Sequence, residues 1–308
     1  VITVQSISNY DKAHPTAITI GTFDGVHIGH RKILERLINN AKLLELKSTV
    51  LTFFPHPRMV LQKDVSIKLL NTIDEKVSIL KEIGIDILII HPFTQEFSRL
   101  SATEFVRDIL VNDLKTKKII IGYDHRFGRN RNANINDLIA FGNALDFEVE
   151  EISAQEIDDV SVSSTKIRKA LGEGDIKTAN SYLGYRYMLT GTVIRGKGLG
   201  RKLDFPTANL HIPEEYKLIP KNGVYVVSSH IDGNKVFGMM NIGYNPTVEG
   251  TAKSIEINFF DFDQDLYDKK IQIDIIDRIR DEHKFDSVEA LQAQLKKDRV
   301  TSLSIISE

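Results

Sequence analysis

The chain changes character near Gly184. Before that point, short apolar runs alternate with amphipathic stretches. Residues 17–20, 49–54, 85–90 and 118–121 read as strands, while 32–47 places Ile33, Leu34, Leu37, Ile38, Ala41 and Leu44 at helical spacing. Segments 72–83 and 103–110 repeat the helical pattern over shorter lengths. Strands separated by helices predict a mostly parallel sheet with right-handed crossovers and ligands at the carboxyl ends of its strands. After Gly172-Glu173-Gly174-Asp175, a short helix over 176–183 stops at Gly184, and strands then follow one another without helices: 187–194, 223–229, 235–242, 254–260 and 270–279. Such a series fits a closed antiparallel barrel, because closure removes exposed edges. Asp232-Gly233 marks a hairpin turn, and Ser287 caps a last helix over 287–295 carrying Val288, Leu291 and Leu295. The expected organisation is an α/β domain over 1–184 and a β-barrel domain over 185–308.

Of the 308 residues, 42% are apolar and 27% charged, which supplies a normal core for about two domains. A net charge of −2 argues against affinity based on wrapping nucleic acid. Zero cysteines exclude disulfides, thiolate nucleophiles and Cys-bound metals, and they fit a reducing compartment. Nothing approaches the roughly twenty apolar residues of a membrane span. The N-terminal Val1-Ile2-Thr3-Val4-Gln5 lacks a basic region followed by a long apolar run, so the expectation is a cytoplasmic protein without membrane partners. A first residue other than methionine reads as a processed or trimmed chain. No feature sets the oligomeric state; a monomer and a weak homo-oligomer both fit.

The stretch Gly21-Thr22-Phe23-Asp24-Gly25-Val26-His27-Ile28-Gly29-His30 puts two histidines one helical turn apart, just after an apolar strand. Gly21 and Gly29 let backbone approach a ligand, a helix starting near Ile28 offers unpaired N–H groups to anions, and both imidazoles can donate to phosphate oxygens. A triphosphate suits this arrangement; two surface histidines beside a glycine turn are the alternative. Further on, Val162-Ser163-Ser164-Thr165-Lys166-Ile167-Arg168 is a small-hydroxyl turn entering a helix with two cations. The hydroxyls can satisfy orphan N–H groups and the cations can stabilise a departing pyrophosphate, although a capped surface helix has the same composition.

His27-Ile28-Gly29-His30 followed by Ser163–Arg168, with an α/β domain between, resembles the nucleotidylyltransferase superfamily. Phe54-Pro55-His56-Pro57 and Gly122-Tyr123-Asp124-His125-Arg126-Phe127-Gly128 resemble two further motifs of the adenylyltransferase module in bifunctional bacterial riboflavin kinase/FAD synthetases. The resemblance implies a Rossmann-like fold in which the FMN phosphate attacks the α-phosphorus of Mg-ATP, giving FAD and pyrophosphate. His27 and His30 would then hold the triphosphate, and Lys166 and Arg168 the leaving group, as catalytic residues. Gly21, Phe23, Asp24, Gly29, Phe54, Asp124, Arg126, Ser163, Ser164 and Thr165 would line the nucleotide and flavin phosphate. His56 has two open readings, a ligand contact or an imidazole bonding backbone in a rigid turn. His125 stands where the family often carries phenylalanine, and its role is open.

The second half carries Gly196-Lys197-Gly198-Leu199-Gly200-Arg201-Lys202-Leu203-Asp204-Phe205-Pro206-Thr207-Ala208-Asn209. Its G-x-G-x-G spacing, with no G-K-[ST] and no following helix, is neither of the two familiar phosphate motifs, but closely spaced glycines can line a flap over an anion. Pro206-Thr207-Ala208-Asn209 resembles the riboflavin kinase signature. The likeness continues through Gly223-Val224-Tyr225, Asn241 to Thr247, Glu256-Ile257-Asn258 and Arg280-Asp281-Glu282-His283-Lys284-Phe285. Asp204 departs from the glycine often found before Phe-Pro. The resemblance implies that Gly196, Gly198, Gly200 and Arg201 cover the phosphates, that Thr207 and Asn209 bind Mg²⁺ through oxygen, and that Glu256 is the base for the riboflavin 5′-hydroxyl. Arg280 and Phe285 would lie near the flavin. Read from the strand alone, Glu256 is equally a solvent-facing residue, and Phe285 equally a core anchor for the last helix.

The implied activity is two-step: riboflavin and ATP give FMN, then FMN and a second ATP give FAD, with ATP, riboflavin and FMN as the small-molecule partners and Mg²⁺ as the metal. Two other readings compete. One keeps the kinase but gives the N-terminal half another acceptor; the other is a flavin-binding regulator without catalysis, against which the presence of both a proton acceptor and leaving-group cations speaks.

Overall fold

The computed structural model describes residues 1–62, 66–123, 125–153, 156, 162–196, 200, 205–247 and 250–307. The chain divides into two compact units, Val1–Ser164 and Thr165–Glu308.

The first unit is built on a six-stranded sheet: β1 (Ile2–Val4), β2 (Thr16–Ile20), β3 (Lys47–Phe53), β4 (Ile87–His91), β5 (Thr116–Gly122) and β6 (Glu148–Ile152). The order is β1-β4-β3-β2-β5-β6, and every pairing is parallel. From β2 the chain steps out through β3 and β4, then returns to β5 and β6 on the other side. The switch in direction therefore lies between β2 and β5, where an open parallel sheet leaves a crevice beyond its carboxyl ends. Every residue of β2 is buried, as an inner parallel strand requires.

Helix α1 (Ile28–Leu43) starts at Ile28, as expected, with His27 as its cap, and ends before the 47 reached by the amphipathic pattern, the chain leaving it where Glu45 takes φ 55°. Helix α2 (Ile73–Ile83) has a capping box, Thr72 with Glu75, and stops on Gly84 at φ 97°. The predicted helix at 103–110 is a helical turn, Ala102–Glu104, running into a π-helical segment, Phe105–Asp113, that buries Phe105, Val106 and Leu110. Helix α3 (Ile135–Leu145) and strands β1 and β6 were not expected. Strand β6 carries Glu148, Glu150 and Glu151 on the sheet edge, where charge guards against further pairing; Lys118 of β5 reaches Glu148 at 3.2 Å and Glu150 at 3.1 Å.

In the second unit, α4 (Ser164–Glu173, entering from the first) and α5 (Ile176–Leu183) precede a closed barrel of β7 (Met188–Ile194), β8 (Ala208–His211), β9 (Gly223–Ile231), β10 (Asn234–Thr247), β11 (Gly250–Phe259) and β12 (Lys270–Arg280), ordered β10-β11-β8-β7-β12-β9. Five strands were expected; the sixth, β8, is four residues long and holds the Ala208-Asn209 end of the kinase-like signature. The two helices group with the barrel through hydrogen bonds: Asn180 Nδ2 donates to the Ile275 carbonyl (3.0 Å), and the Lys221 N–H to the Leu171 carbonyl (3.0 Å). Asp232 (φ 50°) and Gly233 (φ 83°) form the hairpin turn with two left-handed residues. Ser287 Oγ accepts the Ala290 N–H at 3.1 Å, capping α6 (Val288–Ser307), which continues well beyond Leu295. Leu295 and Ile306 of α6 pack on Phe205, Val224, Met239 and Phe260 outside the barrel.

Candidate active sites

At the carboxyl end of β2, the chain turns through Phe23 (φ 44°), Gly25 (φ 85°) and Val26 (φ 36°) before α1. A β-branched residue in left-handed backbone is costly, and such strain gathers where the surroundings hold a site in shape. Several bonds hold it here. Asp24 Oδ1 accepts the Leu70 N–H at 2.9 Å, Ser164 Oγ donates to the Asp24 carbonyl at 2.8 Å, and the Thr22 carbonyl accepts from Thr52 Oγ1 (3.2 Å) and Lys76 Nζ (2.7 Å). Phe23, Asp24, His27 and Gly29 are buried, and a Cβ on Gly21 would lie 3.1 Å from the Phe23 ring.

His27 Nδ1 accepts the His30 N–H at 3.4 Å, which assigns the ring proton of the neutral imidazole to Nε2. The two rings stack 3.7 Å apart at 17°, and Phe23 meets His30 edge-on at 5.1 Å. Burial lowers the His27 pKa to about 4 against a smaller upward pull from Asp24; burial, His27 and Lys76 hold His30 well below the usual imidazole range. Both rings are thus neutral at pH 7. A neutral imidazole has one ring N–H that can be given to an anion's oxygen, and it gains basicity beside negative charge. His30 Nδ1 is buried and has no hydrogen-bond partner among the described residues.

The other predicted N-terminal residues also follow carboxyl ends of strands. Phe54 continues β3, and its N–H reaches the His91 carbonyl at 3.1 Å. His56 caps the one-turn helix Pro57–Leu61 by accepting the Arg58 N–H at 3.2 Å, the backbone-bonding role. Beyond β5, His125 stacks 6.2 Å from Phe127 and Arg126 is exposed. Asp124, which lies between them and β5, falls outside the described residues. Ser163 and Ser164 are half-buried; Thr165 and Lys166 are exposed and Arg168 half-buried at the start of α4, whose Ile167 is fully buried.

In the barrel, Asn209 of β8 lies opposite Glu256 of β11, and Glu256 lies opposite Asn241 of β10. Opposed residues share a face, so the three polar side chains form one row across three strands. Their chain neighbours Leu210, Ile255, Ile257, Met240 and Ile242 are buried. Gly196 and Gly200 come close to Asn209 and Thr207 respectively. A Cβ on Gly196 would lie 2.2 Å from Asn209 Nδ2, and one on Gly200 would lie 2.3 Å from the Phe205 carbonyl and 3.2 Å from Thr207 Oγ1. Only glycine permits that approach. Gly198, Arg201 and Asp204 fall outside the described residues. Sequence reasoning gave no role to Asn258, two residues along from Glu256; it is buried and its Nδ2 donates to the Pro206 carbonyl at 2.8 Å, tying β11 to the residue before Thr207.

Arg280 forks onto buried Asp298 of α6 (Nη2 to Oδ2 2.7 Å, Nε to Oδ1 3.0 Å), and its guanidinium lies 5.7 Å from the half-buried Phe285 ring. Gln294 Nε2 also donates to Asp298, at 2.8 Å. The family resemblance implies a flavin neighbour at Arg280; its described partners tie the end of β12 to the last helix.

Two family models match the chain in succession, FAD synthetase over residues 9–166 and riboflavin kinase over 183–306. The bifunctional riboflavin kinase/FMN adenylyltransferase of Listeria monocytogenes is 38% identical over 283 residues, covering 91% of this chain and 89% of that protein. The chain belongs to the bifunctional riboflavin kinase/FMN adenylyltransferase family. The Escherichia coli K12 member is 34% identical over 302 residues, covering 97% of this chain and 96% of its own. A solved structure described as a macrolide-efflux protein from Streptococcus pneumoniae superposes with a TM-score of 0.87 at 32% identity, covering 98% of each chain. No described helix of this family member is long and apolar enough to cross a membrane. The two matched segments correspond to the two side-chain constellations: the histidine pair falls in the FAD synthetase segment, and the Asn209–Glu256–Asn241 row in the riboflavin kinase segment.

Proposed function

We propose that the chain makes FMN from riboflavin and ATP with its barrel domain and FAD from FMN and a second ATP with its α/β domain, the functional halves being 1–184 and 185–308. One observation carries this reading: each family match contains its own polar cluster on its own scaffold.

For adenylyl transfer, the strained loop and the first turn of α1 present backbone N–H groups and two neutral imidazoles to the triphosphate. A phosphate oxygen of FMN forms a bond to the α-phosphorus of ATP as the bond to pyrophosphate breaks. The Nε2–H of His27 and a ring N–H of His30 stabilise charge building on that phosphorus. Lys166 and Arg168 act on the departing pyrophosphate, an assignment that rests on family resemblance.

For phosphoryl transfer, Glu256 takes the proton of the riboflavin 5′-hydroxyl as that oxygen bonds to the γ-phosphorus and ADP leaves. Its place beside Asn209 and near Thr207 supports the role. The Thr207 hydroxyl and the Asn209 amide oxygen are hard donors that would hold Mg²⁺. That cation would offset charge on the ATP phosphates. Gly196 approaches Asn209 and Gly200 approaches Thr207, and Asn258 holds the backbone before them. The proposed setting is cytoplasmic, with ATP and flavins as small-molecule partners.

Supplying FMN and Mg-ATP to the purified chain tests the adenylyl half by itself. Pyrophosphate and FAD in equal amounts are expected, and their absence, with FMN still formed from riboflavin, would leave the α/β domain with a different acceptor.

A further inference from the structure

Lys76 sits in the first turn of α2 and is buried, 5% exposed, where an amphipathic surface helix usually carries its lysines outward. Its Nζ donates to the Thr22 carbonyl at 2.7 Å. That carbonyl already accepts from Thr52 Oγ1, so the lysine is not needed to satisfy it. The groups bearing on the ammonium are the Asp24 carboxylate in the loop and the His30 ring on α1; Asp24 in turn acts on His27. On its own helix, the adjacent Glu75 carboxylate is engaged in the capping box with the Thr72 N–H at 2.9 Å. An ammonium buried at this depth is costly relative to an apolar chain of the same length unless its charge is used.

We infer that Lys76 is a positioning residue of the adenylyl-transfer site: its buried ammonium pins the Thr22 carbonyl under the strained loop and supplies a fixed positive charge beside the His27–His30 pair for the incoming triphosphate. This rests on the reading of the α/β domain as the adenylyltransferase. Two features of the site follow. The charge favours arrival of a polyanion while keeping His30 neutral beforehand, so the ring enters as a hydrogen-bond partner. The hydrogen bond to Thr22 holds the start of the loop whose far end caps α1 through His27. Burial lowers the Lys76 pKa to about 8, partly offset by Asp24, so the charge is present at neutral pH and lost in mild alkali.

The test compares the full chain with K76R and K76M, using FMN formation from riboflavin in the same molecules to verify that the protein is intact. K76M is expected to lower kcat/KM for ATP in FAD formation at least tenfold while FMN formation stays within twofold. In the parent chain, kcat/KM should decline with a midpoint near pH 8, and K76R should move that limb to higher pH because guanidinium stays charged. FAD formation by K76M within twofold of the parent, or an alkaline limb unmoved in K76R, would overturn the assignment. Imidazole NMR titration is a second readout that needs no turnover: the His30 pKa should rise in K76M, and an unchanged value would contradict the inference. If the parent chain made no FAD, the adenylyltransferase reading would fail, while the imidazole titration would still decide whether Lys76 acts on the pair.

Discussion

Asn209 on β8 and Glu256 on β11 are directly opposed cross-strand neighbours, one residue from the Ala208–Ile257 pair. That register brings the proposed proton acceptor beside a proposed metal ligand although 47 positions separate them in sequence (256 minus 209). Neither residue depends on the α/β unit for its place.

Glu256→Gln should therefore lower FMN formation by about 10²–10⁴-fold, the usual size of a general-base contribution, and leave FAD formation from supplied FMN within twofold. His30→Ala should do the reverse. Separate assays of the two products check both, and loss of both activities in a folded variant would contradict independent centres.

Gly196→Ala should act through Asn209. The added methyl would lie 2.2 Å from Nδ2 and 2.7 Å from Oδ1, so the amide must swing away. A displacement of about 1 Å at a reacting centre costs up to about 10²-fold. Riboflavin kinase activity is expected to fall by that order, with a raised Mg²⁺ requirement, while FAD formation from FMN persists.

The pH dependence of stability has a defined sign at His27. Its folded pKa, about 4, lies below the unfolded value near 6.5, so the unfolded chain binds the extra proton between those limits. Its contribution is complete above pH 6.5 and is lost as pH falls toward 4, up to about 3 kcal/mol. Denaturant unfolding of the α/β unit at pH 7 and pH 4.5 should show a smaller pH-dependent loss in His27→Gln than in the parent chain.

Asp298→Ala should destabilise the barrel unit by about 1–3 kcal/mol, because it leaves the part-buried Arg280 guanidinium with only the Asp281 carbonyl, 3.0 Å from Nη1, among its described hydrogen-bond partners. Riboflavin phosphorylation should decline with the thermal midpoint of that unit. If the midpoint held and only the KM for riboflavin rose, Arg280 would be a flavin contact first and a strut second.

The features legible in the sequence were those with a strong local cause. Apolar runs at 17–20 and 49–54 announced inner parallel strands, Gly184 ended α5 at the expected residue, and Asp232-Gly233 formed its turn. The histidine pair and the proline-threonine signature were visible as motifs because their chemistry is concentrated in a few consecutive residues. Strand β6 was hidden by three glutamates on an edge, and β8 by its shortness and polarity. The π-helical register of Phe105–Asp113 has no simple period to betray it. Lys76 and Asn258 were missed for a different reason. Each is an ordinary polar residue in a regular element, and only the neighbouring elements turn it inward. The one available signal was phase: Lys76 shares a helix face with the buried Leu80 at i+4 and Ile79 at i+3.

The central claim is that two separate constellations on one chain act in sequence on the same flavin. A time course of riboflavin with Mg-ATP, resolved by product, tests it most directly. FMN should appear first without a lag, FAD should follow with one, and pyrophosphate should rise in step with FAD alone. FAD rising from the first time point with no FMN released or detectable, or FMN accumulating with no FAD at all, would contradict it.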